Sequence, residues 1–246
     1  MGLAVRVIPT MLCRGRQLIK GVAFDSWRSV GLVTQAVRIH QARGVDELVL
    51  LDIEATNERR GPDLELVAEL ADWCFMPLAV GGGVRSVADA RALLRAGADK
   101  VVVRGLIFEN PYEVRRIADA CGSQALVASI DVTYGLAWAG GSRYLTMKPV
   151  TWARYSVALG AGEILLTSVE REGTLQGYDL QTINWVSTAV GVPVIAHGGA
   201  GKYQHLAEAV MAGASAVAAG AMFQFTQATP RGAAEYLAAH GVEVRL

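Results

Sequence analysis

The chain of 246 residues contains few cysteines and no excess of charge of either sign. Its three cysteines are scattered, at positions 13, 74 and 121, so they provide neither a disulfide framework nor a metal-ligand spacing and indicate a reducing cytoplasm. Lysine and arginine together number 23, as do aspartate and glutamate, which argues against a nucleic-acid or acidic membrane partner. No apolar run reaches the ~18 residues of a membrane helix. We therefore expect a cytoplasmic protein that contacts neither membrane nor nucleic acid and uses no metal or organic cofactor.

What the sequence does contain is an internal repeat with a constant offset of 116 residues. Four landmarks return at that offset: residues 46–51 as 162–167, 61–64 as 177–180, 80–83 as 196–199, and 96–98 as 212–214. One offset shared by four landmarks indicates two copies of a half-domain. Each copy has its own glycine-rich loop, so a site built on such a loop is expected to occur twice.

Short apolar runs bounded by turn signals predict eight buried parallel strands. These are residues 5–12, 48–53, 77–80, 100–103, 125–131, 163–168, 193–196 and 216–219. Amphipathic stretches of helical length lie between them, and no pattern indicates an antiparallel hairpin. The length is close to the ~250 residues of an α/β barrel, so residues 1–246 are predicted to form one (β/α)8 TIM barrel built from two duplicated half-barrels. A doubly wound open sheet is the alternative.

Glycine-rich loops follow the predicted third and seventh strands, at the C-terminal face where barrels keep their active sites. The glycines are Gly82 and Gly83 in the first half, and Gly198 and Gly199 in the second. Glycine allows backbone N–H groups to approach a phosphate at a helix N-terminus. Gly220 and Ala221, after the eighth strand, are expected to complete a phosphate cup in the second half. The alternative is that these glycines only form tight turns.

The first half differs in the residue that would complete its phosphate cup. Arg104 stands where the repeat has Gly220. A guanidinium at this position either grips a phosphate with two parallel hydrogen bonds or fills the cup and blocks it. Two working cups would suit a substrate with a phosphate at each end.

Asp131 ends the predicted fifth strand, so its carboxylate is expected to point into the barrel mouth and act as a general acid or base. A structural aspartate that bonds loop amides is the alternative. Its counterpart in the repeat is Leu12, so a symmetric pair of carboxylates is half missing. Lys20, on the loop after the first strand, either closes over an anionic substrate or remains solvated. Ser168 and Glu172, at and after the end of the sixth strand, either position substrate hydroxyls or cap loops.

Four charged residues stand at the starts of predicted strands one, two, four and six. They are Arg6, Glu47, Lys100 and Glu163. Strand starts lie at the N-terminal face of a barrel, where the usual role is stability, and two positive and two negative charges on a narrow ring are expected to pair. One interpretation is a structural plug, and the other is a gate through which a small polar molecule enters the barrel.

Over almost its whole length the chain resembles the cyclase subunit family of imidazole glycerol phosphate synthase. The resemblance rests on residues 46–53, 80–83, 97–101, 160–168, 172–174, 177–179, 198–202, 236–237 and 240–246. It implies a (β/α)8 barrel that acts as a carbon–nitrogen lyase or synthase within a glutamine amidotransferase complex. In that family a HisH-like glutaminase subunit docks at the N-terminal face, and its ammonia crosses the barrel to a bisphosphorylated substrate.

The resemblance also assigns roles to individual residues. It implies that the four charges at the strand starts form an ammonia gate and that Asp131 and Lys20 are catalytic. Asp99 and Gln124 match positions at or near the docking face of the glutaminase. The same resemblance adds Gly173 to the substrate-binding residues.

One departure from the family is specific, because the second catalytic aspartate of the cyclases corresponds to Leu12. A divergent branch, associated with sugar amidation in surface-polysaccharide pathways, is more similar at residues 8–12, 74–77 and 218–220. The leading hypothesis is therefore a barrel subunit that receives ammonia for carbon–nitrogen bond formation on a phosphate-bearing substrate in sugar amidation. The alternatives are the cyclase of histidine biosynthesis and a non-catalytic scaffold that activates the glutaminase.

Overall fold

Eight parallel strands close into a barrel in the computed structural model, which describes residues 4–138 and 147–246. The strands in chain order are β1 (Arg6–Arg14), β2 (Gln17–Val22), β3 (Asp25–Leu32), β4 (Leu48–Asp52), β5 (Leu78–Gly81), β6 (Lys100–Val103), β7 (Leu126–Thr133), β8 (Leu136–Trp138), β9 (Glu163–Ser168), β10 (Val194–His197) and β11 (Ala216–Ala219). All but β2, β3 and β8 pair in parallel in chain order, and β11 pairs back onto β1. The predicted (β/α)8 fold is confirmed, and the open-sheet alternative is wrong.

Helices connect the barrel strands and pack against their outer side. They are α1 (Val33–Ala42), α2 (Leu64–Ala71), α3 (Val87–Arg95), α4 (Gly105–Glu109), α5 (Pro111–Cys121), α6 (Pro149–Ala158), α7 (Leu180–Ser187), α8 (Tyr203–Met211), α9 (Ala221–Phe225) and α10 (Pro230–Ala239). Side chains set where α3 and α7 begin, because Ser86 and Asp179 accept hydrogen bonds from the N–H groups of Asp89 and Thr182. Across the described ranges, no helix has the length and apolar character needed to span a membrane.

Three antiparallel hairpins occur in the described ranges, so the expectation that the chain lacks hairpins is wrong. β2 pairs with β1 on one side and with β3 on the other, and β8 pairs with β7. The β2–β3 turn uses Ala23-Phe24, with φ of 49° and 59°, and the β7–β8 turn uses Tyr134-Gly135, with φ of 48° and 76°. Turns of this kind ordinarily carry Asn or Gly because φ is positive. Ala-Phe therefore gives no turn signal in the sequence.

The internal repeat also holds in the hydrogen-bond register of the strands. Leu48 of β4 pairs with Leu78 of β5, and the residues 116 positions further on, Ile164 of β9 and Val194 of β10, pair in the same way. The two half-barrels therefore share one strand register as well as one sequence pattern.

The register also fixes the counterpart of Asp131. Asp131 of β7 pairs with Thr167 of β9, and Leu12 of β1 pairs with Leu51 of β4. Since Thr167 and Leu51 are related by the offset of the repeat, Leu12 and Asp131 occupy equivalent positions. One half-barrel carries a leucine where the other carries an aspartate.

Alternate residues of each strand point into the barrel, and this alternation divides the inside into three levels. The middle level is mostly apolar, with Thr10 and Ser129 as polar members. Its apolar residues are Ile8, Val49, Ala79, Val102, Val127, Leu165, Ile195, Ala216 and Ala218. The level at the C-terminal end, called the mouth layer here, consists of Leu12, Leu51, Gly81, Arg104, Asp131, Thr167, His197 and Gly220. The level at the N-terminal end, called the charge ring, consists of Arg6, Glu47, Lys100 and Glu163.

Candidate active site at the barrel mouth

The mouth layer is polar on one side only. Its members on the first half-barrel strands β1, β4 and β5 are Leu12, Leu51 and Gly81, whereas β6, β7, β9 and β10 supply arginine, aspartate, threonine and histidine. The pseudo-twofold symmetry of the backbone is therefore not shared by the chemistry. Proton transfer and charge recognition are available along β6 to β10, opposite an apolar wall.

Asp131 and Arg104 form an ion pair across the mouth. Asp131 is 4% exposed, and its Oδ2 accepts a hydrogen bond of 2.6 Å from Nη1 of Arg104. The guanidinium of Arg104 also lies over the ring of Trp138, 5.5 Å from its centre. The sequence assigned Arg104 to a phosphate cup and Asp131 to catalysis, and the structure joins the two residues in one charge-neutral unit.

Lys20 lies on β2 and is buried, with 1% exposure, so its interpretation as a solvated lysine is wrong. Its Nζ is 3.6 Å from Oε1 of Glu172. The ammonium also lies so close to Gly220 that a Cβ at that position would collide with it. Glycine at position 220 therefore makes room for the lysine, in addition to standing just before α9, where Ala221 is the first residue.

The hairpin that carries Lys20 packs on the loop after β9. Ala23 donates its N–H to the carbonyl of Glu172, over 2.8 Å. Gly173 has a φ of 77°, and a Cβ there would collide with the carbonyl of Gly21. The carboxylate of Glu172 is buried, faces Lys20 and also accepts a hydrogen bond from the backbone N–H of Gly173, so it contacts the mouth cluster as well as its own loop.

His197 is a mouth residue that the sequence reasoning missed. Its Nδ1 is 3.1 Å from Oγ1 of Thr167, and its Nε2 is 3.6 Å from Oε2 of Glu172. Burial lowers the pKa of His197 below its ordinary 6.5, and Lys20 lowers it further, which outweighs the opposite effect of Glu172 and Asp131. The imidazole is therefore neutral at pH 7. Its position could have indicated this, because His197 lies two residues after the inward-facing Ile195 and alternate residues of a strand point to the same side.

Glu172 is held in its ionised form by its neighbours. Burial by itself would raise the pKa of this carboxyl. The positive charges of His197, when protonated, and of Lys20 outweigh burial, so that the pKa lies below its usual 4.5. At pH 7, where His197 is neutral, Lys20 is the neighbouring positive charge. Lys20, Glu172 and His197 thus form a buried cluster next to the Arg104–Asp131 pair.

The two glycine loops make the same backbone contacts in the two halves. A Cβ at Gly82 would collide with the carbonyl of Asp52, and one at Gly198 would lie 2.5 Å from the carbonyl of Ser168. Gly83 and Gly199 likewise approach the backbone of residues 60–61 and 177 too closely for a side chain. All four positions therefore require glycine on steric grounds. This requirement is compatible with phosphate binding, because the loops also lead toward the N-termini of α3 and α8.

Replacing Gly198 by alanine is expected to destabilise the protein by about 3 kcal/mol, because it adds a side chain at a φ of 92° and against the carbonyl of Ser168. The midpoint of thermal unfolding should fall by about 6–12 °C. Gly241→Ala is the matched control, since Gly241 has a φ of 78° but nothing within 4 Å of the added Cβ. That control should lose only about 1 kcal/mol. Equal losses in both variants would contradict the close-contact argument.

Two further acidic residues near the mouth cap loops. Asp52 accepts hydrogen bonds from the N–H groups of Glu54 and Ala55 and pairs with Arg60 over 2.6 Å. Glu170 accepts from the N–H of Tyr134 at 2.6 Å. These carboxylates are fully engaged by the protein itself, so neither is a candidate for proton transfer to a substrate.

The charge ring at the N-terminal end is completely paired. Glu47, 1% exposed, receives hydrogen bonds from Arg6 at 2.5 Å and from Lys100 at 2.9 Å. Glu163 bridges the same two cations, at 3.0 Å and 2.9 Å. Burial lowers the pKa of Arg6, but the two carboxylates outweigh it and raise the pKa overall. The predicted pairing is confirmed, and the ring closes the barrel floor below the apolar middle level.

The two predicted docking residues lie on the same face as the charge ring. Asp99 directly precedes Lys100, and its Oδ2 accepts the N–H of Leu78 over 2.8 Å, which ties β5 to β6. Gln124 is exposed in a short 3-10 turn, Ser123–Ala125, before β7. Both residues are exposed, so both are accessible to a partner that covers the ring.

No cluster of three or more histidine, cysteine, aspartate or glutamate side chains with metal-binding geometry occurs within residues 4–138 and 147–246. The groups that the described residues place at the mouth are one arginine–aspartate pair, one lysine–glutamate–histidine cluster, and the backbone N–H groups of two glycine loops.

Comparison with known proteins agrees with this geometry. Residues 6–229 match the family model described as histidine biosynthesis protein. Two curated relatives, from two strains of Caulobacter vibrioides, are both named imidazole glycerol phosphate synthase subunit HisF. Each is 44% identical to this chain over 252 aligned positions, which cover 99% of this chain and 97% of the relative.

Proposed function

This chain belongs to the histidine biosynthesis protein family and is similar to its HisF subunits, and from that membership we propose that it is the ammonia-receiving barrel subunit of a glutamine amidotransferase. The observation that carries the proposal is the charge ring. Four inward-pointing charges pair fully with one another at the N-terminal end of the barrel, below its mostly apolar middle level. A structural plug would only have to hold the barrel floor closed, whereas a ring of ion pairs can also open, when its pairs separate, to admit a small polar molecule.

The route from the ring to the mouth suits neutral ammonia. The middle level of the barrel is lined by apolar side chains, among them Ala79, Ala216 and Ala218. An ion would have to lose its hydration at high cost in such surroundings, whereas neutral ammonia would not. We infer that a HisH-like glutaminase docks over the ring, near Asp99 and Gln124, and delivers ammonia into the barrel.

For the reaction at the mouth, the cyclase step of imidazole glycerol phosphate synthase in histidine biosynthesis is the leading candidate. The two HisF relatives match along 99% of this chain, which supports this function better than sugar amidation, the leading hypothesis from the sequence. The glycine loops would hold the phosphates of the substrate. Asp131 would transfer a proton as the carbon–nitrogen bond forms, and Lys20 would place a positive charge beside the reacting groups.

Sugar amidation is the second candidate, and Leu12 is the observation that favours it. The side chain at this equivalent of Asp131 is apolar and 4% exposed. In addition, Arg104 replaces the glycine of the second half and binds Asp131. A substrate other than that of the histidine pathway would account for both differences.

Ammonia-dependent turnover separates the two candidates. With saturating ammonium chloride and the bisphosphorylated substrate of imidazole glycerol phosphate synthase, the purified chain is expected to turn over within about tenfold of the ~10 per second of a typical enzyme. The measurement needs no partner subunit, because ammonium salt replaces the glutaminase. No turnover by a folded barrel that still binds a glutaminase would contradict the cyclase function and leave sugar amidation as the function to test.

A further inference from the structure

The inner side of β1 offers no titratable group at the mouth. Its inward-facing residues are Ile8, Thr10 and Leu12, and the neighbouring inward residue on β4 is Leu51. Proton transfer in this half of the mouth therefore has to come from a side chain that reaches across from another strand.

Three buried polar atoms converge beside that wall. Nζ of Lys20, Oε1 of Glu172 and Nε2 of His197 have no hydrogen-bond partner within the described part of the chain. Their separations of 3.6 Å are too long for hydrogen bonds, and each side chain is less than 5% exposed. Polar atoms buried in this way reduce stability. A cluster of three such groups at an active-site mouth points to a role in binding or chemistry.

The position of the cluster relates it to Leu12. β10, which carries His197, is separated from β1 only by β11. The inward-facing residues of β11 at this height are small, Ala218 and Gly220, and the ammonium of Lys20 lies against Gly220. His197 and Lys20 therefore face the region that a carboxylate at position 12 would serve.

We propose that His197 is the second proton-transfer residue of this barrel and takes the place of the carboxylate that Leu12 lacks. The inference rests on the proposed cyclase function. This role uses the tautomer in which Nδ1 carries the proton and donates to Oγ1 of Thr167, 3.1 Å away, so that Nε2 is the basic nitrogen. Glu172, 3.6 Å from Nε2, is placed to stabilise the imidazolium once it forms.

The proton balance of the step is simple. Ammonia forms a bond to an electrophilic carbon of the substrate, and the π electrons of that carbon move to its oxygen. The nitrogen becomes positively charged and releases one proton, which Nε2 of His197 accepts. The imidazolium then lies beside the carboxylate of Glu172 and returns the proton to the alkoxide oxygen, which gives a carbinolamine. His197 carries a second proton from the nitrogen to the hydroxyl, the lone pair of the nitrogen forms the C=N bond, and the C–O bond breaks. The products are an imine and one molecule of water. No oxidant, reductant or further co-reactant is needed.

The test compares His197→Asn with the double variant Leu12→Asp/His197→Asn. Asparagine keeps a polar group near Thr167 but cannot take up a proton at neutral pH. With ammonium chloride and the bisphosphorylated substrate, His197→Asn is expected to lower kcat about 100-fold and change KM by no more than about threefold. The double variant Leu12→Asp/His197→Asn should have a kcat at least about tenfold higher than that of His197→Asn. His40→Gln, at a buried histidine on α1, is the matched control and should keep kcat within about twofold, with thermal unfolding verifying that every variant is folded.

Each other outcome is decisive. Unchanged kcat in a folded His197→Asn variant overturns the role of His197 and leaves the cyclase function standing. A loss that Leu12→Asp does not restore also overturns it, because a group that only supports structure would behave in this way. If the wild-type chain is inactive but the single variant Leu12→Asp is active, nothing in this barrel replaces the carboxylate. If neither turns over, the cyclase function fails, and the role of His197 in it fails with it.

Discussion

Replacing Asp131 by asparagine is expected to lower ammonia-dependent turnover by roughly 10²–10⁴-fold. The amide preserves the shape of the side chain and can still accept a hydrogen bond from Arg104, but it cannot exchange a proton. The loss should appear in kcat, because the group acts on the reacting atoms rather than on the ends of the substrate. The measurement is steady-state turnover with ammonium chloride, which keeps the glutaminase and the charge ring out of the result.

Asp52→Asn is the matched control for this variant. Asp52 also ends a barrel strand and also pairs with an arginine at 2.6 Å, but its oxygens serve the loop that follows β4. Its turnover should stay within about fivefold of the wild type. The stability of Asp131→Asn should change by no more than about 1 kcal/mol, because Arg104 is more than one-third exposed and solvent screens the pair. Full turnover by a folded Asp131→Asn variant would show that this carboxylate is not the acid–base group.

The fold could be predicted from the sequence because the repeat and the apolar runs are consequences of the barrel itself. A strand buried on both faces must be apolar throughout, so β4 and β9 stand out as residues 48–52 and 163–168. The repeat placed the counterpart of Asp131 at the end of the first strand, at Leu12, 119 residues earlier, before any register was known. The pairing of each with its neighbouring strand agrees with that placement.

The hairpins and the burial of Lys20 could not be predicted in the same way. A lysine gives no local sign of its surroundings, and its burial depends on where β2 folds after a turn at Ala23-Phe24 that has no turn signal. The hairpin is held by tertiary contacts instead, such as the N–H of Ala23 on the carbonyl of Glu172. Contacts of that kind join two residues that are 149 positions apart in sequence, and no local pattern encodes such a contact.

The Arg104–Asp131 pair and the role of His197 at the mouth could not be predicted from the sequence for a different reason. Each of these residues was visible at the C-terminal end of a predicted strand, and Arg104 and Asp131 were known to follow neighbouring strands. What was missing was the alternation of inward and outward residues. Only this alternation shows that both side chains, and the imidazole of His197, point to the same small space. The asymmetry of the mouth layer follows from it, because Leu12, Leu51 and Gly81 fall on the opposite side.

Replacing Glu47 by glutamine is expected to have two separable effects at the charge ring. It removes a negative charge that receives hydrogen bonds from both Arg6 and Lys100, so two cations are left with Glu163 alone. Breaking a buried pair in this way costs about 3–5 kcal/mol. The partial exposure of the two cations, 23% and 15%, favours a value near the lower end. The midpoint of thermal unfolding should fall by about 6–12 °C.

The second effect distinguishes a gate from a plug. In the complex with a glutaminase, Glu47→Gln should lower glutamine-dependent turnover by at least about tenfold, because a ring with unbalanced charge no longer passes the ammonia that the partner releases. Ammonium-dependent turnover of the same variant should stay within about threefold of the wild type. Glu113→Gln is the matched control: Glu113 is also buried, holds Arg116 at 2.8 Å and accepts the N–H of Val87, but it lies on α5, outside the ring. It should lose stability without changing the ratio of the two rates. If Glu47→Gln also leaves that ratio unchanged, the ring only closes the barrel floor, and ammonia must enter the mouth by another route.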